Sequence, residues 1–189
     1  MLSEAVTRKI IGAQGAEVLI DVIEGAWDDH LAENRLRTPW TQASIVWDYM
    51  ENRAKDAFVD AEGVRQVTRL DRSMFVMRER FLLRFKKHSR ELQTSNYPTA
   101  SQRGVAGQGY FGEYPALQAV SCGYALDKAN AGIESLVIVN HIDGWSIDLR
   151  ELAAGQLAPV TQLLDFVEYE ENLIGLESIT WPNASGAGS

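Results

Sequence analysis

The sequence predicts an α+β domain in which two N-terminal helices pack on a mostly antiparallel sheet of about five or six strands, closed by a C-terminal helix. Three observations predict it. Apolar residues recur at helical spacing in the first third of the chain, at Val18, Leu19, Val22, Ile23 and Ala26. The middle of the chain holds short runs rich in aromatic and branched residues, the composition of strands. No strand–helix–strand rhythm runs through it, so local hairpins rather than a doubly wound sheet are expected.

The first helix is expected from Ser3 to about Ala32, with interruptions open at Gly12, Gly15 and Gly25. Pro39 disfavours helix at Thr38 and ends the first segment. Thr38 or Thr41 can cap a second helix running to about Phe58, and Pro39 suits its first turn. Ile45, Val46, Tyr49, Met50 and Phe58 form its apolar stripe, with Trp40 and Trp47 expected to pack on the sheet. "GVRQVTRLDR" is an imperfect strand, and "SMFVM" and "RFLLRFKKH" are stronger ones. The last two form either one long strand or a hairpin folded at Arg78 to Arg80, where no Gly or Asn marks a turn. Residues 89–115 are poor in apolar side chains and hold four glycines, as a long functional loop would, with a short helix open from Thr99 to about Gln108. "LQAVSCGYALD" and "GIESLVIVNHIDGWSIDL" follow, the second a hairpin whose Asp143-Gly144 pair suits a two-residue turn. The domain organisation expected is one unit over residues 1–181: a helical part at 1–60, a sheet part at 64–150 and an acidic helix at 158–175. Residues 182–189 are small and polar and read as a disordered tail.

At 189 residues and 46% apolar, the chain can bury a real core. No apolar run approaches the roughly 20 residues of a membrane helix. The N-terminal residues lack a basic start, a pure apolar block and a cleavage site, so no signal peptide is read. One cysteine, Cys122, rules out an internal disulfide and fits a reducing cytoplasm. A cytoplasmic, non-membrane protein is the expectation.

Motifs for chemistry are sparse. His30, His88 and His141 lack metal-ligand spacing, and no GxSxG, GxGxxG or Walker sequence occurs, so no metal or cofactor is expected. His141, Asp143 and Asp148 gather near one hairpin, but Asp143 is explained by its turn. Glu51, Asp71, Glu79 and Lys86 resemble in arrangement the acid, Asp and E-x-K of PD-(D/E)xK nucleases, which hold Mg²⁺ and activate water. Glu79 is followed by Arg80 and Phe81, so the E-x-K step itself fails.

Charge placement is more informative. The chain carries a formal charge of −8, yet residues 65–103 hold 10 Lys/Arg against 3 Asp/Glu. Within "RERFLLRFKKHSR" strand alternation sets Phe81, Leu83 and Phe85 on one face and Arg80, Arg84, Lys86, His88 and Arg90 on the other. Such a face can guard a sheet edge or pair with the chain's own acidic segments. It can also meet a phosphate backbone or an acidic protein, since arginine bonds phosphate and carboxylate alike. The interface candidates are Arg80, Arg84, Lys86 and Arg90 with the loop residues Asn96, Tyr97 and Arg103, Tyr97 being able to stack on a base.

"FLLRFKK", "NYPT" and "GYALD", within residues 43–149, resemble a loosely defined family of bacterial proteins with a helical N-terminal half and a hairpin ending in R-F-K-K. Some are encoded beside a helix-turn-helix protein with an ImmA-like metallopeptidase domain, an arrangement resembling RosmerTA-type toxin–antitoxin or phage-defence pairs. The resemblance favours the hairpin at Arg78 to Arg80 and marks Arg84, Phe85, Lys86, Lys87, Asn96, Tyr97, Pro98 and Thr99 as positions of interest. It implies a cytoplasmic effector or regulatory component held by an antitoxin-like protein partner. Two other classes stay open: a nucleic-acid-binding protein or nuclease using the basic face, and a non-catalytic assembly protein. An exposed strand edge is compatible with a homodimer.

Overall fold

Ser3 starts the first helix: its hydroxyl accepts the amide of Val6 at 3.2 Å, the usual device for satisfying a free helix N–H. The computed structural model describes residues 1–33, 35, 37–69, 72–94, 117–155 and 177–181. Helix α1 spans Glu4–Ala32 and α2 spans Pro39–Ala57, capped by Thr38 with Pro39 at its start. Strands β1 (Val64–Arg69), β2 (Arg72–Met77), β3 (Phe81–His88), β4 (Gln118–Leu126), β5 (Ile133–Asn140) and β6 (Trp145–Asp148) follow, then the short helix α3 (Leu149–Ala153). The architecture is therefore α+β.

The six strands form one sheet in sequence order. All neighbours are antiparallel except β3 and β4, which run parallel from the pairing of Phe81 with Gln118. A parallel pair needs a crossover longer than any hairpin, and residues 89–117 supply the length. One face of the sheet, carrying Phe75, Phe81, Leu83, Phe85, Val120, Tyr124 and Ile138, closes on Leu19, Ile23, Trp27 and Met50 of the two helices. On the other face Met74, Val76 and Leu82 form a smaller apolar cluster.

Of the three glycines at which α1 can break, it breaks at Gly12, whose φ of 65° and ψ of 178° are barred to residues with a Cβ. The break frees carbonyls that a helix would use, and residues 177–181 take them. Ile179 donates its amide to the Ile10 carbonyl at 3.0 Å, and the Trp181 indole N–H donates to the Ile11 carbonyl at 3.1 Å. Gln14 Nε2 returns a bond to the Trp181 carbonyl, and the Glu62 amide donates to Thr180. Ile179 and Trp181 are buried, Trp181 edge-on to Phe58, so the core runs from Leu2 to Trp181.

Of the two alternatives at residues 78–80 the structure takes the hairpin, and three other expectations need correction. Residues 78–80 do make a tight turn without Gly or Asn: Arg78 and Glu79 both take positive φ (46° and 52°), and the Arg80 amide closes on the Met77 carbonyl at 2.9 Å. Arg80 thus sits in the turn, exposed, and not on the face of β3. The β5–β6 turn is not a two-residue Asp143-Gly144 turn. It takes four residues, 141–144, with only Gly144 at positive φ, because the Asn140 side chain organises it. Trp47 packs against the core, whereas Trp40 is 74% exposed. The expected helices at 99–108 and 158–175 and the tail at 182–189 lie outside the described residues. No helix among the described residues is long and apolar enough to cross a membrane.

Candidate functional site

Strand alternation separates β3 into Phe81, Leu83 and Phe85, buried toward the helices, and Leu82, Arg84, Lys86 and His88 opposite. Arg84 and Lys86 are half-buried, and His88 is buried with 2% of its surface exposed. Gly123 of β4 lets the two backbones approach closely, since a Cβ there would stand 1.7 Å from the Lys86 carbonyl oxygen.

The polar centre of this face is Ser121 of β4, itself buried. Its hydroxyl lies 3.0 Å from His88 Nε2 and 3.3 Å from His141 Nε2, and 3.4 Å from the Val139 carbonyl. A hydroxyl has one proton, so it donates to one acceptor and accepts from another N–H. The two rings lie 6.3 Å apart, centre to centre. His141 is exposed, so the cluster reaches solvent on that side. Its turn is held firmly. The Asn140 amide oxygen accepts the amides of Ile142 at 2.9 Å and Asp143 at 3.1 Å, while Asn140 Nδ2 and Gln118 Nε2 donate to the Asp143 carboxylate at 3.0 and 2.8 Å.

Both histidines are held neutral. Burial pushes His88 down from 6.5 to about 4, and the charges of His141, Arg84 and Lys86 add to the effect. Burial also lowers His141, with Arg84 assisting. The cluster therefore sits in positive potential. His88 Nδ1 is buried and has no hydrogen-bond partner. A neutral serine–imidazole pair can pass a proton, and an N–H or O–H here can receive an anion.

Of the interface candidates, Arg84 and Lys86 border this cluster and Arg80 and Arg90 do not. Arg90 forms a forked, exposed pair with Glu134 at 2.8 and 2.9 Å. Asn96, Tyr97, Pro98, Thr99 and Arg103 lie outside the described residues. Other basic residues also pair within the chain: Arg65 with Glu79, and Arg78 with the Ser178 carbonyl and Glu177. Lys87 is half-buried, and burial lowers its ammonium pKa.

The nuclease quartet does not assemble among the described residues. Glu51 is buried on α2 and accepts the Ser73 amide with both oxygens at 3.2 Å, its pKa raised by that burial. Glu79 is in the β2–β3 turn, Lys86 is on β3, and Asp71 lies outside the described residues. Asp143 is committed to its turn, and Asp148 caps α3 through the amides of Arg150 and Glu151. Among the described residues no group of three or more His, Cys, Asp or Glu is placed to hold a metal ion. Sequence reasoning missed Ser121 and the union of His88 with His141. Only the side of β3 on which His88 stands was legible beforehand. No family model, curated protein or solved structure matches the chain, and the functional reading rests on the chemistry of its own residues.

Proposed function

We propose that the chain is the effector or regulatory component of a bacterial two-partner module of toxin–antitoxin or phage-defence type, cytoplasmic and controlled by a protein partner. The observation that carries this reading is the Ser121–His88–His141 cluster beside Arg84 and Lys86. Burying a hydroxyl and an imidazole under positive potential works against stability, and perturbed groups of this kind concentrate at working sites. The pairs of Arg65, Arg78 and Arg90 account for part of the basic segment as structure. Arg84 and Lys86 stand on the same side of β3 as His88, and their charges act on its ring. The acidic composition of the chain outside residues 65–103 suits docking of a complementary partner.

The test is growth of a bacterial host after induction of the chain alone, beside Arg84→Glu/Lys86→Glu at equal expression. Arrest by the parent and normal growth with the variant is the expected result. Equal growth of the two overturns the reading. The positive potential at the cluster favours, as a second reading, a nucleic-acid-binding protein, whose affinity would fall steeply with salt.

A further inference from the structure

We infer that the cleft at the break of α1 is a peptide-recognition groove, which the chain fills with its own residues 177–181 and which a protein partner enters by displacing them. The partner presents an extended segment with an aliphatic residue, a tryptophan two positions later and an acidic residue two positions earlier. The inference rests on the reading of the chain as held by a protein partner, and names what that partner offers. Residues 177–181 lie in the cleft as a bound peptide does. Their side chains alternate: Ile179 and Trp181 are buried, whereas Glu177, Ser178 and Thr180 are exposed. The Ile179 amide donates to the Ile10 carbonyl at the break, and the Thr180 carbonyl accepts the Glu62 amide in an isolated antiparallel bridge. Arg78 Nη2 donates to the Ser178 carbonyl at 2.6 Å, and Nη1 stands 3.7 Å from the Glu177 carboxylate. Main-chain bonds that give affinity, with alternate side chains in pockets that give specificity, are how a surface takes up an added strand.

The tryptophan position is the selective one. Trp181 lies edge-on to Phe58, donates its indole N–H to the Ile11 carbonyl at 3.1 Å, and covers Gly15 so closely that a Cβ there would stand 2.4 Å from the indole nitrogen. Phenylalanine has no such N–H and would leave the Ile11 carbonyl, freed by the break, without its partner. Two glycines thus shape the groove: Gly12 turns main-chain acceptors toward the segment, and Gly15 makes room for the ring. Residues 156–176 join the segment to α3, so it acts as a ligand on the same chain, with an effective concentration on the order of millimolar. A protein partner outcompetes it by adding contacts beyond the groove.

Hydrogen exchange on the unmodified chain is the first test. The Ile179 amide and the Trp181 indole N–H are expected to exchange faster than the amides of β3 and β4, through an opening that leaves the sheet intact. Equal protection overturns the inference, since the segment would then leave only when the whole domain unfolds. The second test titrates the full chain carrying Ile179→Ala/Trp181→Ala with the blocked peptide Glu-Ser-Ile-Thr-Trp and with Glu-Ser-Ala-Thr-Ala as control. Saturable binding of the first peptide alone is expected, and the parent is expected to bind it about tenfold more weakly because its own segment fills the groove. Adding Gly15→Ala to the vacated chain is expected to abolish binding, since the new methyl group takes the place of the ring. No binding, equal binding of the two peptides, or binding indifferent to Gly15→Ala overturns the inference. Where the double variant does not fold, the first peptide is added to the parent at millimolar concentration, and a Trp181 indole NMR signal that stays unmoved overturns it. Growth arrest by the parent without peptide binding would overturn this inference alone. Peptide binding without arrest would overturn the effector reading alone.

Discussion

The sheet face turned toward α1 and α2 and the face turned away both hold buried side chains, but of different kinds. Toward the helices stand Phe75, Phe81, Leu83, Phe85, Val120 and Ile138, an apolar set packed with Leu19, Ile23 and Met50. Away from them, Met74, Val76 and Leu82 give way along β3 and β4 to Arg84, Lys86, His88 and Ser121. The first face follows the rule that apolar area leaving water drives folding. The second departs from it, holding an imidazole and a hydroxyl where apolar side chains would be more stable. The difference teaches where this protein gives up stability, and such places are where function is sought.

The comparison breaks most readily through large-to-small substitution. Phe85→Ala is expected to lose about 3–5 kcal/mol in urea unfolding, because the cavity it leaves lies among rigid neighbours. Ser121→Ala, on the opposite face, is expected to lose about 1 kcal/mol. Equal losses would make the second face ordinary core.

The next effect comes from pH. His88 titrates at about 4 in the folded protein, against 6.5 as its reference value. The unfolded chain therefore takes the proton first. The stability tied to neutral His88 is complete above pH 6.5 and is lost as the pH falls toward 4, by about 3 kcal/mol in all. Glu51 works in the opposite sense, since its raised pKa makes protonation favour the folded state. Comparing the parent with His88→Asn at pH 7 and pH 4.5 isolates the histidine, and an unchanged difference between the two pH values would refute its burial as a neutral ring.

The smallest effect is expected at the edge of the basic segment. Arg90 and Glu134 are exposed, so a double-mutant cycle should find weak coupling that vanishes in high salt. Strong, salt-resistant coupling would show that Arg90 belongs with the buried cluster after all.

Much of the frame was legible because it depends on local chemistry. Ser3, Thr38 and Pro39 announce their helix starts, and the stripe from Val18 to Ala26 announces the buried side of α1. The alternation in "FLLRFKKH" already divided Phe85 from Arg84 and Lys86. The turn at Arg78 and Glu79 was only one of two alternatives in the residues themselves, because neither residue type favours positive φ, and the fold imposes it. At the β5–β6 turn, Asp143-Gly144 carried the usual signal, but Asn140 outcompeted it by bonding the following amides.

By itself, then, the sequence determined α1, α2, the strands and the two-sided character of β3, since periodicity and capping act over a few residues. Tertiary structure decided what no local rule contains. It broke α1 at one of three glycines by seating residues 177–181 on the freed carbonyls, and it made β3 and β4 parallel neighbours. It also brought Ser121 between His88 and His141, residues 33 and 20 positions away along the chain. Such meetings depend on which distant strands pair and in which direction, and that choice is settled by burying both faces of the sheet at once.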